Sequence, residues 1–283
     1  MFGFEKKINI CTHDGNFHAD DVFACAVVVM WAKKKGKKIK ITRTRDKNLI
    51  DRAHIVIDVG GIYNEKLNRF DHHQNDFNLK RENKIPYASF GLVWKKYAKS
   101  ICDNNEILNM IEKKLVLPID AFDNGFSITK NIYDDIYEYN LVRDMVRLFR
   151  NTWDEGNKNT DKRFYEFLLI AVKILEREIE LGESLIKGEK EVLKSIENQG
   201  EPEILILDKY LPWERIVSDF RNIFIVVYPD SMGNDWCVEA VKSNLADFES
   251  DRVYFPPSWG GKINDELVKE SGVLDALFCH RGL

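Results

Sequence analysis

Short aliphatic runs and longer amphipathic stretches alternate along the first two-thirds of the chain. Residues 7–13 (KINICTH) read as a strand, 14–20 (DGNFHAD) as a loop and 21–35 (DVFACAVVVMWAKKK) as a helix. A second strand-like run follows at 38–44 (KIKITRT) and a third at 54–61 (HIVIDVGG), the latter closed by two glycines. Strand, helix, strand and strand in quick succession predict an α/β layer with buried, partly parallel strands. Residues 88–101 and 105–122 predict helices, the first with Phe90, Val93, Trp94 and Tyr97 at helical spacing. Beyond Arg163, the side chains Phe164, Phe167, Leu168, Ala171, Val172, Leu175 and Ile179 fall on one face of a long helix. That helix is expected to bend near Gly182 and to end at Asn198.

Polar residues mixed with Gly and Pro at 198–203 (NQGEPE) mark a boundary. Strand-like runs at 204–208, 222–229 and 236–243, then a helix near 264–272, predict a smaller α+β domain. The expected division is 1–198 and 199–283, with substrate in the cleft between the two domains.

Composition narrows the class. A net charge of -4 and a pI near 5.9 argue against a protein that coats nucleic acid through bulk positive charge. The lysine-rich stretch 33–40 (KKKGKKIK) reads as a solvated helix end and turn. Five scattered cysteines without a C-x-x-C pair fit a reducing compartment and exclude a structural zinc knuckle. The longest apolar block, 22–32, is too short to span a bilayer. No targeting segment is read at the N-terminus, so an intracellular place, cytoplasm or nucleus, is expected.

Histidine and aspartate gather at four places. His13, His18 and Asp20 leave the first strand in THDGNFHADD; Asp58 ends the third in IVIDVGG; Asp71, His72 and His73 follow a short apolar run in RFDHHQ; Asp120 and Asp123 lie in DAFDNG. Loops at the carboxyl ends of parallel strands converge on one crevice, so the first two clusters are expected to face the same side of the sheet. Asp58 at the end of an apolar strand is costly to bury unpaired, and a metal ion offsets that cost. Imidazole with carboxylate and no thiolate suits Mn²⁺ or a similar divalent ion. So many side chains exceed the need of one ion and fit a pair, with Asp58 as the natural bridge. Of His72 and His73, one is expected to ligate metal and the other to contact a phosphate oxygen.

Each cluster has a plainer use taken singly. His13 and His18 suit ordinary loop positions, Asp20 suits the N-cap of the helix it opens, and Asp58 and DNG suit turns. Only together, in this order and on strand ends, do they favour a metal site. Other candidates weigh less. Arg43 and Arg45 suit a structural ion pair as well as a phosphate, SWGGK lacks the frame of a nucleotide loop, and most of Trp213, Tyr228, Trp236 and Trp259 are expected in a core rather than against bases. No nucleophile triad and no H-E-x-x-H helix supports a protease.

THDGNFHADD, IVIDVGG, RFDHHQ and DAFDNG, in this order, resemble the DHH phosphoesterase superfamily, and most closely its melanocyte-proliferating-gene branch of exonucleases. LPWE, VYPD, WCVEAV and FPPSWGGKINDELVKESGV extend the resemblance over nearly the whole chain. It implies a DHH-type N-terminal domain and a two-metal phosphodiester hydrolase, a 3′-5′ exonuclease on single-stranded RNA or DNA. His13, His18 and Asp58 would hold one ion; Asp20, Asp58, His72 and Asp123 the other; His73 would face the scissile phosphate, with Asp71 as the second catalytic residue. Asp123 is preferred to Asp120 on spacing. His18 stands where most such enzymes have an aspartate. A glycine-rich substrate loop with a histidine is usual near the C-terminus, and the sequence stops at LFCHRGL, about where it would begin. Either the chain is truncated there or its grip on substrate differs. The resemblance adds the mitochondrion as a location in some members. A small-molecule pyrophosphatase or nucleotide phosphodiesterase, and a non-catalytic metal-binding protein, are the alternatives.

Overall fold

The computed structural model describes residues 7–129, 141–247 and 250–281. These form two compact units, divided between Gly182 and Glu183 inside one long helix.

In the first unit β1 (Ile8–Thr12), α1 (Ala19–Lys34), β2 (Ile39–Arg43), α2 (Lys47–Arg52) and β3 (Ile55–Ile57) follow in order, then β4 (Tyr63–Asn64) and β5 (Arg69–Phe70). The sheet has strand order β2-β1-β3-β5-β4. All pairs are parallel except β4 with β5, so the expected α/β class with a largely parallel sheet is what the chain forms. Val22 through Val28 are essentially inaccessible on every side of α1. That explains a valine-rich helix without a polar face: burial outweighs the weak helix propensity of β-branched residues.

α3 (Ser89–Ile101) packs extensively on α1. α4 (Asn105–Ile111), a π-helical turn (Glu112–Val116) and α5 (Leu117–Asp123) run on without a break. Pro118 sits at the junction of that wide turn with α5, where its missing N–H is tolerated. α6 (Leu141–Phe149) is a helix that the sequence reading passed over, although Met145, Val146 and Phe149 have helical spacing. α7 (Thr160–Asn198) runs through Gly182 as one helix. Gly182 permits close approach of its neighbour: a Cβ there would lie 2.9 Å from Ile107 Cγ2.

The second unit holds β6 (Ile204–Ile206), α8 (Glu214–Val217), β7 (Ile225–Pro229), β8 (Trp236–Ala240), a 3₁₀ turn (Pro257–Trp259) and α9 (Asn264–Ser271). Its sheet has order β6-β7-β8, with β6 and β7 parallel and β7 and β8 antiparallel. Leu205, Trp213 and Val226 meet Val192 and Ile196 of α7 in its core, and Tyr228 packs against them. Trp236 is instead largely exposed. Among the described residues no helix is long and apolar enough to cross a membrane.

Candidate metal centre

The chain leaves β1 towards β2 on one side and returns to pair β3 on the other. This switch point opens a crevice at the carboxyl ends of β1 and β3. Three adjacent parallel strands end there in chemistry-bearing residues: Thr12 is followed by His13, Ile57 by Asp58 and Phe70 by Asp71. The N-termini of α1 and α3 reach the same place.

Asp58 is the centre of the arrangement. Its φ of 53° lies in the left-handed region, where a residue other than glycine is held only by its surroundings. Its N–H donates to the Phe70 carbonyl at 3.0 Å, and the Ser89 hydroxyl donates to its Oδ1 at 3.1 Å. Its Oδ2 lies 3.5 Å from His13 Nε2 and its Oδ1 3.5 Å from His72 Nε2. One carboxylate thus touches two clusters.

The first cluster joins His13, His18 and Asp21, whose ligand atoms lie within 4.8 Å of one another. His13 Nδ1 is 2.9 Å from the Asp14 carbonyl oxygen. That oxygen only accepts, so Nδ1 carries a proton and Nε2 is the ring atom left for a ligand. Nε2 faces Asp21 Oδ2 at 3.2 Å. Asp21 was not singled out in the sequence. Its neighbour Asp20 was read as a ligand, with the cap of α1 as its plainer use; the cap falls to Asp21 at the third helical position, whose Oδ1 accepts from the His18 N–H at 2.7 Å. Asp20 turns away from its own helix start and caps α3, accepting from Ser89 and Phe90 N–H at 3.1 and 2.7 Å.

The second cluster joins Asp20, His72 and Asp123. His72 Nε2 is 3.2 Å from Asp123 Oδ2. Asp120 is elsewhere, accepting from the Gly91 N–H at 3.0 Å and paired with Arg81 at 2.8 Å. The structure therefore brings Asp123, and not Asp120, to the histidine. His73 forms a third grouping with Asp58 and His72, but its Nδ1 donates to Asp71 Oδ1 at 2.8 Å. Asp71 also accepts from the Gly61 and His73 N–H groups. That leaves His73 Nε2 on the outer side of a ring 62% exposed, while Asp71 is 3% exposed. Asp71 is placed to hold His73. Arg43 and Arg45 serve the loop: both donate to backbone carbonyls at Gly15 and Asp14 and pair with Asp161 and Asp14.

The charges suit a cation. Burial pushes the Asp21 carboxyl up to about 7, although His13 opposes the shift. Burial and the nearby Asp123 and Asp58 raise Asp20 well above the carboxylate range. Burial disfavours protonated His13 and His72, yet Asp58 and Asp21 lift the first to about 9, and Asp123 and Asp58 the second to about 11. Without metal the site fills with protons. His13 Nε2, Asp21 Oδ2 and His72 Nε2 are buried there without a hydrogen bond, which is the condition a ligated cation would satisfy. The donors suit divalent ions that accept imidazole and carboxylate together.

A mostly parallel α/β sheet with a His/Asp centre at its switch point defines the class. The chain belongs to the family whose model, MYG1_exonuc, is described as Uncharacterised protein family (UPF0160) and matches residues 9–282. It is 31% identical to the MYG1 protein of Dictyostelium discoideum, over 97% of this chain and 90% of that one. The MYG1 protein of Chlamydia muridarum is also 31% identical over the same shares. The MYG1 exonuclease of Mus musculus is 26% identical, over 96% of this chain and 78% of that one. No solved structure matches the chain.

Proposed function

We propose that this chain is a metal-dependent phosphodiesterase of the DHH type, acting as a 3′-5′ exonuclease on single-stranded RNA or DNA. The observation that carries the reading is Asp58, strained at the sheet switch point with one oxygen towards each His/Asp cluster. The exonuclease name of the mouse relative supports the polymeric substrate.

In this reading His13, His18 and Asp58 hold one ion, with Asp21 within reach. Asp20, Asp58, His72 and Asp123 hold the other. When bound, two divalent ions supply Lewis acidity to the phosphoryl oxygens and ease deprotonation of water. Mn²⁺ is the expected metal and Mg²⁺ the alternative. The protein's own part is positioning. Ser89 fixes the Asp58 carboxylate, the Asp14 carbonyl fixes the His13 tautomer, and Asp71 fixes His73 with Nε2 outward. Asp71 raises His73 above the usual imidazole value, and in the protonated ring that Nε2 is the donor we assign to a phosphate oxygen.

The test is digestion of 5′-labelled single-stranded RNA with Mn²⁺, with Mg²⁺ and with chelator, beside Asp58→Asn. A metal-dependent ladder shortening from the 3′ end is expected, reduced at least about a thousandfold in the variant, or about 4 kcal/mol of barrier. Release of phosphate from pyrophosphate with no ladder would favour the small-molecule alternative. Absence of both, in protein that binds Mn²⁺, would leave a non-catalytic metal protein.

A further inference from the structure

Beside the second cluster a cavity of about 370 Å³ opens between the start of α1, α5 and α6. His18, Asp20 and Asp123 line one end. The lining also carries Arg143 and Arg147, one turn apart on α6, and Arg150 just past its end. Ile119, Phe122 and Val146 supply the apolar surface between.

Arg143 holds Asp144 at 2.9 Å, and Asp20 and Asp123 are the other carboxylates among the described residues of the lining. Arg147 is 4.0 Å from the Asp144 carboxylate and 73% exposed, so its pair contributes little to folding. Arg150 is pinned by its Nε, which donates to the Phe17 carbonyl at 2.6 Å, one residue before His18. Phe122 leaves half its surface open, with the Arg143 guanidinium 5.8 Å from its ring. In a chain of net charge -4, a cationic wall next to an uncovered aromatic ring is a local exception. It stands where the aspartates of the centre would otherwise repel a polyanion. Guanidinium groups suit phosphate oxygens, and aromatic faces suit bases of any identity.

We infer that this pocket takes the strand next to the scissile bond, with Arg147 and Arg150 on the phosphate of a neighbouring nucleotide and its base against Phe122. The placement rests on the phosphodiesterase reading. It makes the grip on substrate a property of the first unit's own α5 and α6, and it favours strands over mononucleotides.

The experiment is fluorescence anisotropy of a 5′-fluorescein single-stranded tetranucleotide with the full chain, in Ca²⁺ and over a range of NaCl concentrations. Arg147→Gln should weaken binding and lower the slope of log affinity against log salt by about 0.7, the contribution of one single-strand phosphate contact. Phe122→Ala should weaken binding about fivefold or more while leaving the slope in place. Both side chains are exposed, and unchanged melting temperatures establish that the variants fold. Wild-type affinity and slope in Arg147→Gln would overturn the inference, as would a wild-type chain that does not bind the strand. Hydrolysis of the same strand in Mn²⁺ is scored apart. Hydrolysis with unaltered Arg147→Gln binding sinks the pocket alone. Weakened binding without hydrolysis in any ion sinks the phosphodiesterase reading and leaves a strand-binding pocket.

Discussion

Two buried acidic regions flank the first turn of α3, and they are finished in opposite ways. Around Asp120 the protein provides its own cation. Arg81 reaches Asp120 Oδ2 at 2.8 Å and Glu112 Oε1 at 2.7 Å, while the Gly91 N–H donates to Asp120 Oδ1. Around Asp58 there is the Ser89 hydroxyl, and the nearest groups able to carry positive charge are imidazoles at 3.4 to 3.5 Å. Buried atoms without a hydrogen bond occur in both regions, Asp120 Oδ2 and Arg81 Nη2 in the first, His13 Nε2 and His72 Nε2 in the second. Burial raises Asp120 and Asp21 alike to about 7, so burial alone does not separate the regions. What separates them is whether a fixed guanidinium completes the set. A carboxylate given its cation by the fold belongs to the fold; a set left facing imidazoles offers ligand atoms to a cation from solution.

Removing the built-in cation should give the largest change in stability. Arg81→Met leaves Asp120 buried and unpaired, at a cost of about 3–5 kcal/mol, and the loss should be the same with and without Mn²⁺. Urea unfolding in both conditions reads it. Gly91→Ala strikes the same region by another route. A Cβ there would fall 1.9 Å from Asp120 Oδ2, and overpacking of that kind costs about 1–3 kcal/mol. If Mn²⁺ shrinks either variant's loss relative to the wild type in Mn²⁺, the Asp120 region is part of the metal centre and the contrast fails.

Next in size is the effect of the ion itself. A ligand present at a hundred times its dissociation constant stabilises the form that binds it by about 2.7 kcal/mol. Mn²⁺ added to chelator-treated protein should therefore raise the unfolding midpoint in the wild type and in Arg81→Met, but far less in Asp58→Asn. Equal stabilisation of all three would place the ion somewhere other than between His13 and His72.

The same contrast explains what could be read from the chain. His13, Asp58 and Asp71 were legible because each follows a strand-like or apolar run, and a polar residue there has few other reasons to be buried. The α/β class was legible from the same runs. Asp123 over Asp120 was a choice of spacing, and nothing local distinguishes them: the difference is Arg81, a partner far away in sequence. Asp21 was hidden by Asp20, since adjacent aspartates at a helix start both look like caps. Only the packing of α3 shows that Asp20 reaches Ser89 and Phe90 while Asp21 meets His13. The arginines of α6 were passed over because their use depends on α5 lying opposite.

The finest division lies inside the centre, between two neighbours in the chain. His72 is 6% exposed and set between carboxylates, whereas His73 is 62% exposed and held by Asp71. If the first ligates and the second meets substrate, they should fail differently. Asp71→Asn keeps the shape of the side chain but weakens the hold on His73 Nδ1, and loss of such an orienting partner costs about ten- to a hundredfold. Because Asp71 is not in the ligand clusters, Mn²⁺ affinity measured by calorimetry should stay near wild type while kcat falls. His72→Ala should lose Mn²⁺ affinity first. A drop in Mn²⁺ affinity for Asp71→Asn as large as that for His72→Ala would make His73 a ligand as well, and the two histidines would then share one task.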